Sequence, residues 1–127
     1  MSHVLEHYPF PHQWLQKAKE LLAPGGIVVI CVPNMFSLDR LIKNLIKRCG
    51  LFINKWEAWR TPDHLFEPTL KAMKILFNDE NFKIVEAYSY SRKRNPSASP
   101  FWSWYYRKMF LGTNLRFIIS PENNIKQ

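Results

Sequence analysis

Glycine is scarce in this sequence: only four are present, Gly25, Gly26, Gly50 and Gly112. None of them lies in a G-x-G-x-x-G run after a strand, the turn through which dinucleotide-binding folds bring their backbone close to a nucleotide. We therefore do not expect this chain to build a complete nucleotide-type cofactor site by itself.

Cysteine and long apolar runs are scarce too. The two cysteines, Cys31 and Cys49, lie in apolar patterns without C-x-x-C spacing, which argues against a disulfide framework and a zinc site. No run of about 18 apolar residues is present, as a membrane-spanning helix would need. The N-terminus lacks the basic flank and apolar core of a signal peptide. We expect a reduced, cytoplasmic protein.

Acidic residues are few, ten against eighteen lysines and arginines, so the formal net charge is +8. Such a balance favours an anionic partner, such as nucleic acid, an acidic membrane surface or a phosphorylated substrate. A solvated basic surface is the simpler alternative. The hydrophobic content of 46% and the aromatic content of 15% indicate a folded chain, one domain or part of one.

The first half of the sequence predicts two helices and a buried strand. Apolar residues recur at helical spacing from Pro11 to Leu22, and Pro24-Gly25-Gly26 ends that helix. The β-branched run Ile27–Val32 is typical of a strand covered on both faces, as in parallel sheets. Ser37 then caps a second helix, Leu38–Cys49, whose apolar stripe lies opposite a basic face.

The second half predicts a further helix and two strands. A helix begins at Pro68 and ends near Asn81, and Phe82–Tyr90 alternates as a strand does. A polar loop follows over residues 91–100, and then an aromatic segment over residues 101–111. Leu115–Ser120 is predicted to be the last strand, and residues 122–127 a frayed tail.

The order of these elements, together with three short motifs, resembles a known family. The motifs are Val4-Leu5-Glu6-His7, Leu21-Leu22-Ala23-Pro24-Gly25-Gly26 and Asp63-His64-Leu65-Phe66. Residues 1–121 resemble the C-terminal half of class I S-adenosylmethionine-dependent methyltransferases, most closely the group that methylates small molecules, quinone precursors and sugars. Residues 35–66 would then be a cap or insertion on the substrate side.

The resemblance implies an α/β fold, a partial Rossmann-like domain with a small mixed sheet, an antiparallel last strand and flanking helices. It also implies S-adenosylmethionine as cofactor and a small-molecule methyl acceptor as partner. The family's glycine-rich turn and its acidic strand end lie in the half that this sequence does not match. Only Ser2 and His3 would touch the cofactor from this chain. We accordingly expect self-association, or a complementary chain, at an exposed edge of the sheet.

The opening stretch supplies the candidate catalytic residues. His7 or His3 could act as a general base, because the unperturbed pKa of histidine lies near neutrality. Alternatively, Glu6 or His7 caps the following turn or packs beneath the cofactor pocket. The substrate pocket would be lined by Asn34, Trp59 and His64.

A metal site is the less favoured alternative. The small-RNA 2′-O-methyltransferases carry a Glu-x-x-Glu-His motif and a later histidine at this place, which Glu6, His7 and His64 match. His3 stands where the first glutamate would be, and one carboxylate with three imidazoles suits Mg²⁺ poorly. No metal is therefore favoured.

Three interpretations remain open for the basic helix and the aromatic segment. They could pack on the core and roof a pocket, bind an anionic membrane surface, or stack on nucleic acid bases. The last is disfavoured because no RNA-binding signature is present. For the whole chain, the alternatives to an active methyltransferase are a catalytically inactive fragment or interaction subunit and a basic module that binds membranes.

Overall fold

A computed structural model of the chain describes residues 3–50, 65, 68–91 and 100–122. A single 3-10 turn, Leu5–His7, precedes four helices and three strands in the described part of the chain. In chain order they are α1 (Pro11–Glu20), β1 (Val28–Pro33), α2 (Leu38–Arg48), α3 (Leu70–Asp79), β2 (Phe82–Tyr90), α4 (Pro100–Lys108) and β3 (Asn114–Pro121).

Local sequence signals explain where these helices begin. Pro11 occupies the first turn of α1, where its missing N–H costs nothing. The side chain of Ser37 accepts a hydrogen bond from the Arg40 N–H, and that of Thr69 accepts one from the Ala72 N–H. Each hydroxyl thus satisfies one of the donors that a helix start leaves without a partner.

The strands form a sheet of order β1-β3-β2, in which β3 lies antiparallel to both neighbours. Ile119 is opposite Val28 on β1 and opposite Ile84 on β2. A bulge between Ile84 and Glu86 shifts the register and leaves Val85 exposed. The antiparallel last strand and the flanking helices confirm the α/β fold class predicted from the sequence.

One face of the sheet carries the hydrophobic core. Ile30, Phe117 and their cross-strand neighbours pack against Leu15 of α1 and Phe77 of α3. The rings of Phe77 and Phe117 meet edge to face, with centroids 5.2 Å apart, a geometry that aromatic pairs prefer. Leu5 of the 3-10 turn is buried in the same cluster. Helices α1 and α3 therefore both cover this one face.

The structure corrects two expectations. Cys49, predicted to lie on a buried apolar stripe, is exposed, and no side chain of α2 is buried. The stripe of α2 therefore does not dock on the described core, although its period is that of an amphipathic helix. Ile27, predicted to begin the first strand, is half exposed and precedes it.

The predicted domain limits, 1–121 with an insertion over 35–66, stay predictions because much of that insertion lies outside the described residues. Among the helices that the structure describes, none is long and apolar enough to cross a lipid bilayer.

Candidate functional site

The segment from His3 to His7 lies beside the second half of β1. The His3 N–H donates to the Cys31 carbonyl over 2.9 Å, so the chain enters along the edge of β1 that β3 does not occupy. His3 adopts φ of +55°, an uncommon left-handed conformation for a non-glycine residue. The backbone turns there and passes into the 3-10 turn, which buries Leu5 and Glu6.

Glu6 is a fully buried carboxylate. Its Oε1 lies 3.2 Å from Nδ1 of His3, whereas its Oε2 has no hydrogen-bond partner among the described residues. The Leu65 N–H donates to the Glu6 carbonyl over 2.9 Å. Because an unpaired buried carboxylate oxygen is costly, Glu6 has capacity to accept one more hydrogen bond at this place.

The two candidate histidines differ in their surroundings. The imidazole of His3 is about one-third exposed and contacts Glu6 through Nδ1. A carboxylate that holds one ring nitrogen fixes the tautomer and leaves the other nitrogen to exchange a proton. His7 is exposed, at the end of the 3-10 turn. The His3–Glu6 pair is thus the more organised arrangement for acid–base chemistry.

Asn34 lies immediately after β1 and is 4% exposed. Its amide nitrogen donates to the carbonyls of Phe110 and Gly112, over 2.7 and 2.8 Å. Its side-chain oxygen accepts from the Phe36 N–H. Asn34 therefore ties the end of β1 to the segment that leads into β3, a structural role that the sequence did not reveal. Its place in a substrate pocket stays a prediction.

A second polar group lies on the sheet face opposite the core. Arg116 donates to the Cys31 thiol over 3.3 Å and to the Tyr88 hydroxyl over 3.0 Å, and its guanidinium lies 4.9 Å from the Tyr90 ring centroid. Arg107 of α4 stacks on Tyr88 at 4.3 Å.

The surroundings of this group change its acid–base properties. Burial, followed by the hydrogen bond with Cys31, raises the pKa of Tyr90 above its ordinary value. Hydrogen bonds to Cys31 and Tyr88 raise the pKa of Arg116, which keeps it charged. No local sequence pattern indicates this group, because the strand register that aligns Cys31, Arg116 and Tyr88 depends on pairing between distant segments.

Three of the predicted site residues, Ser2, Trp59 and His64, lie outside the described residues. Within the part of the chain that the structure does describe, no group of three metal-ligating side chains is close enough to hold an ion. The Glu6, His7 and His64 set therefore stays a weak prediction, and Ser2 as a cofactor contact stays a prediction too.

None of the four glycines is placed where a nucleotide-type cofactor site would use it. Gly25 and Gly26 follow α1, Gly50 follows α2, and Gly112 precedes β3. A Cβ on Gly112 would lie 2.7 Å from the Tyr90 backbone, so this glycine is needed for packing between chain segments. None of the four follows a strand, the position from which a glycine-rich turn cradles a cofactor. The expectation that this chain does not build a complete cofactor site by itself stays a prediction.

Comparison with known proteins identifies the fold. A family model described as "Methyltransferase domain" matches residues 1–87. The solved structure of small RNA methyltransferase HEN1 resembles the whole chain with a TM-score of 0.55 at 16% identity. This chain spans 14% of the length of that solved chain. No curated protein matches.

Proposed function

We propose, because this chain belongs to the methyltransferase-domain family, that it contributes the acceptor side of an S-adenosylmethionine-dependent methyltransferase. The observation that supports this role best is the His3–Glu6 pair, a partly exposed imidazole held at 3.2 Å by a fully buried carboxylate. The donor that family membership suggests is S-adenosylmethionine. The rest of its site would come from a segment that carries the glycine-rich turn.

His3 would act on the acceptor in one step. With Nδ1 directed at Glu6, Nε2 accepts the proton of an acceptor hydroxyl or amine as that group becomes nucleophilic, and Glu6 stabilises the imidazolium that forms. His7, exposed one turn away, is the second candidate base. Asn34, Trp59 and His64 are the candidate pocket residues. A small molecule is the acceptor that we favour, because the sequence motifs resemble the group that methylates small molecules.

RNA is a second candidate acceptor. The similar solved structure is that of a small RNA methyltransferase, and this chain carries a net charge of +8. Two guanidiniums, of Arg107 and Arg116, lie on the Tyr88 ring, an arrangement that also suits stacked bases. A binding isotherm with a steep salt dependence would favour RNA, because phosphate contacts release counterions.

The cofactor assignment is tested by titrating S-adenosylhomocysteine into the purified chain, alone and after co-expression with a complementary chain that carries the glycine-rich turn. We expect no binding by this chain alone and binding by the assembled pair. Binding by the isolated chain would contradict the proposed division of the site. An assembled pair that does not bind would favour the alternative, an inactive remnant that serves as an interaction subunit.

The catalytic assignment is tested in the pair that binds the cofactor. His3→Gln should lower methyl transfer about 10²- to 10⁴-fold, the usual contribution of a general base, when it is measured at saturating S-adenosylmethionine so that any loss of cofactor contact at His3 does not contribute. The matched control is His12→Gln, because His12 forms a similar pair with Glu80 on the surface at 2.8 Å. Equal activity in both variants would exclude His3 as the base and leave His7 as the next candidate.

A further inference from the structure

Helix α2 presents an apolar surface that the described chain does not cover. Leu41, Ile42 and Leu45 are 46%, 46% and 63% exposed, and Phe36, just before the helix, is 60% exposed. We call these four residues the α2 apolar surface. The spacing of the three helical residues places them on one side of α2. Single exposed apolar residues are normal, but a contiguous group on one helix marks an interaction surface.

The charges on the same helix indicate which partner fits. Four basic residues, Arg40, Lys43, Lys47 and Arg48, accompany one acidic residue, Asp39, so α2 carries a net charge of +3. The cations lie along the side away from the α2 apolar surface and at its border. An apolar face with a cationic polar face is the pattern of helices that lie in the interface of an anionic bilayer.

The helix is also held in place at its first turn. The Leu38 N–H donates to the Leu111 carbonyl over 3.0 Å, and the Ser37 side chain accepts the Arg40 N–H. Leu111 comes just after α4, in which Phe101 and Trp104 are exposed with ring centroids 6.4 Å apart. Aromatic side chains of this kind are enriched at membrane interfaces. The folded chain thus presents α2 from a fixed base, with an aromatic helix attached to the same segment.

We propose that α2 binds the surface of an anionic lipid bilayer, with the α2 apolar surface inserted at the headgroup boundary and its lysines and arginines on acidic headgroups. A nucleic acid would satisfy the cations but leave Leu41, Ile42 and Leu45 in water. An uncharged apolar partner would cover those three and gain nothing from a net charge of +3. An anionic bilayer accounts for both observations. The binding requires no methyl transfer.

The test is co-sedimentation of the full chain with phosphatidylcholine vesicles that contain or lack phosphatidylserine. We expect binding only with phosphatidylserine and its loss at high salt. Leu45→Glu should lower the affinity about tenfold or more, because it puts a charge on the inserted face. Its control is Ile75→Glu, which makes the same change at an exposed apolar position of α3.

A pair of charge reversals separates site-specific binding from general attraction. Lys47→Glu with Arg48→Glu should lower the affinity about 30-fold or more, since each basic residue near an anionic surface contributes roughly fivefold. The control is Lys71→Glu with Lys74→Glu, both exposed on α3. Circular dichroism checks that each variant is folded. Equal losses in the two double variants, no binding at low salt, or binding to single-stranded RNA in place of vesicles would overturn the proposal.

Discussion

At the scale of single residues, Asn34 illustrates how one side chain can organise a junction. Its amide holds two carbonyls and one N–H from three different residues, and one of these residues, Phe110, has φ of +54°. A bulky residue such as phenylalanine rarely adopts a positive φ. The hydrogen bond from Asn34 therefore offsets part of the cost of a strained turn between α4 and β3.

Asn34→Ala should lower the free energy of unfolding by about 2–4 kcal/mol. The substitution removes three hydrogen bonds, each of which contributes about 1 kcal/mol, and it leaves buried carbonyls without partners. The measurement is urea denaturation followed by circular dichroism. Asn44→Ala is the matched control, since Asn44 is exposed on α2 and should change stability by less than about 0.5 kcal/mol. Similar effects of the two substitutions would contradict a structural role for Asn34.

Gly112 is the second residue on which the junction depends. A Cβ added there would lie 2.7 Å from the N, C and O atoms of Tyr90, and backbone atoms cannot rotate away. Its N–H also donates to the Ser89 hydroxyl over 2.9 Å. We expect Gly112→Ala to lower the unfolding free energy by about 2 kcal/mol or more, because β2 and β3 must separate locally.

The comparison for Gly112 is Gly50→Ala. Gly50 has φ of +71° but nothing within 4 Å of an added Cβ, so alanine there incurs only conformational strain of about 1 kcal/mol. Thermal melts of both variants give the ranking. If Gly50→Ala proves the more destabilising of the two, close packing at Gly112 is not what requires glycine.

These residue-scale features mark the limit of sequence reasoning. The sequence offered His7 and His3 as alternative bases without choosing between them, and the structure pairs His3 with Glu6. Which histidine meets the carboxylate depends on the turn at His3, whose positive φ no local pattern predicts. The Arg116 group was missed for a related reason: its members are distant in sequence and become neighbours only through strand register.

At the scale of elements, the sequence predicted more of the structure than it did at the scale of single residues. β2 matches its predicted limits, α1 and β1 differ from theirs by one or two residues at either end, and the Ser37 cap is confirmed. Periodicity and capping are local signals, so they can be recognised without tertiary information. The sequence predicted only an aromatic segment over residues 101–111, and the structure shows that most of it belongs to α4. Aromatic residues have intermediate helix propensity, so composition alone does not decide whether such a segment is helical.

Helices α2 and α3 share the same kind of N-cap but differ in how they pack. Thr69 caps α3, which contributes Met73, Leu76 and Phe77 to the core. Ser37 caps α2, which contributes no buried side chain. Thr69→Ala should therefore lower global stability by about 1 kcal/mol. Ser37→Ala should mainly increase hydrogen exchange within residues 38–48.

Hydrogen exchange with mass spectrometry, combined with urea denaturation, measures both effects. A cap on a helix that packs into the core is lost only when the cooperative unit opens, whereas α2 can open locally. Uniform acceleration of exchange in the Ser37→Ala variant would mean that α2 belongs to the same cooperative unit as the sheet. That result would contradict the inference drawn from its exposed side chains.

At the scale of the whole molecule, the sheet is unequally covered. Helices α1 and α3 both contribute to the core on one face. The other face carries Cys31, Arg116 and the partly exposed Ile118, and it meets α4 through the Arg107–Tyr88 contact. The single backbone bond from His3 to Cys31 lies on the β1 edge away from β3. The β1 edge that β3 does not occupy and the partly exposed sheet face both favour contact with another chain.

The isolated chain should therefore self-associate as its concentration rises, through the face that carries Ile118. Sedimentation velocity over a wide range of concentrations measures this directly. Ile118→Lys should hold the chain as a monomer, because it places a charge on that face. Ile75→Lys places a charge at an exposed apolar position of α3, which covers the core face instead, and this variant should associate as the unsubstituted chain does. A monomer at every concentration, together with a cooperative thermal melt, would show that the described fold is complete without a covering chain.

If instead a complementary chain with the glycine-rich turn replaces self-association by a one-to-one pair, the same face serves both contacts. In that case the Ile118→Lys substitution should weaken the pair as well.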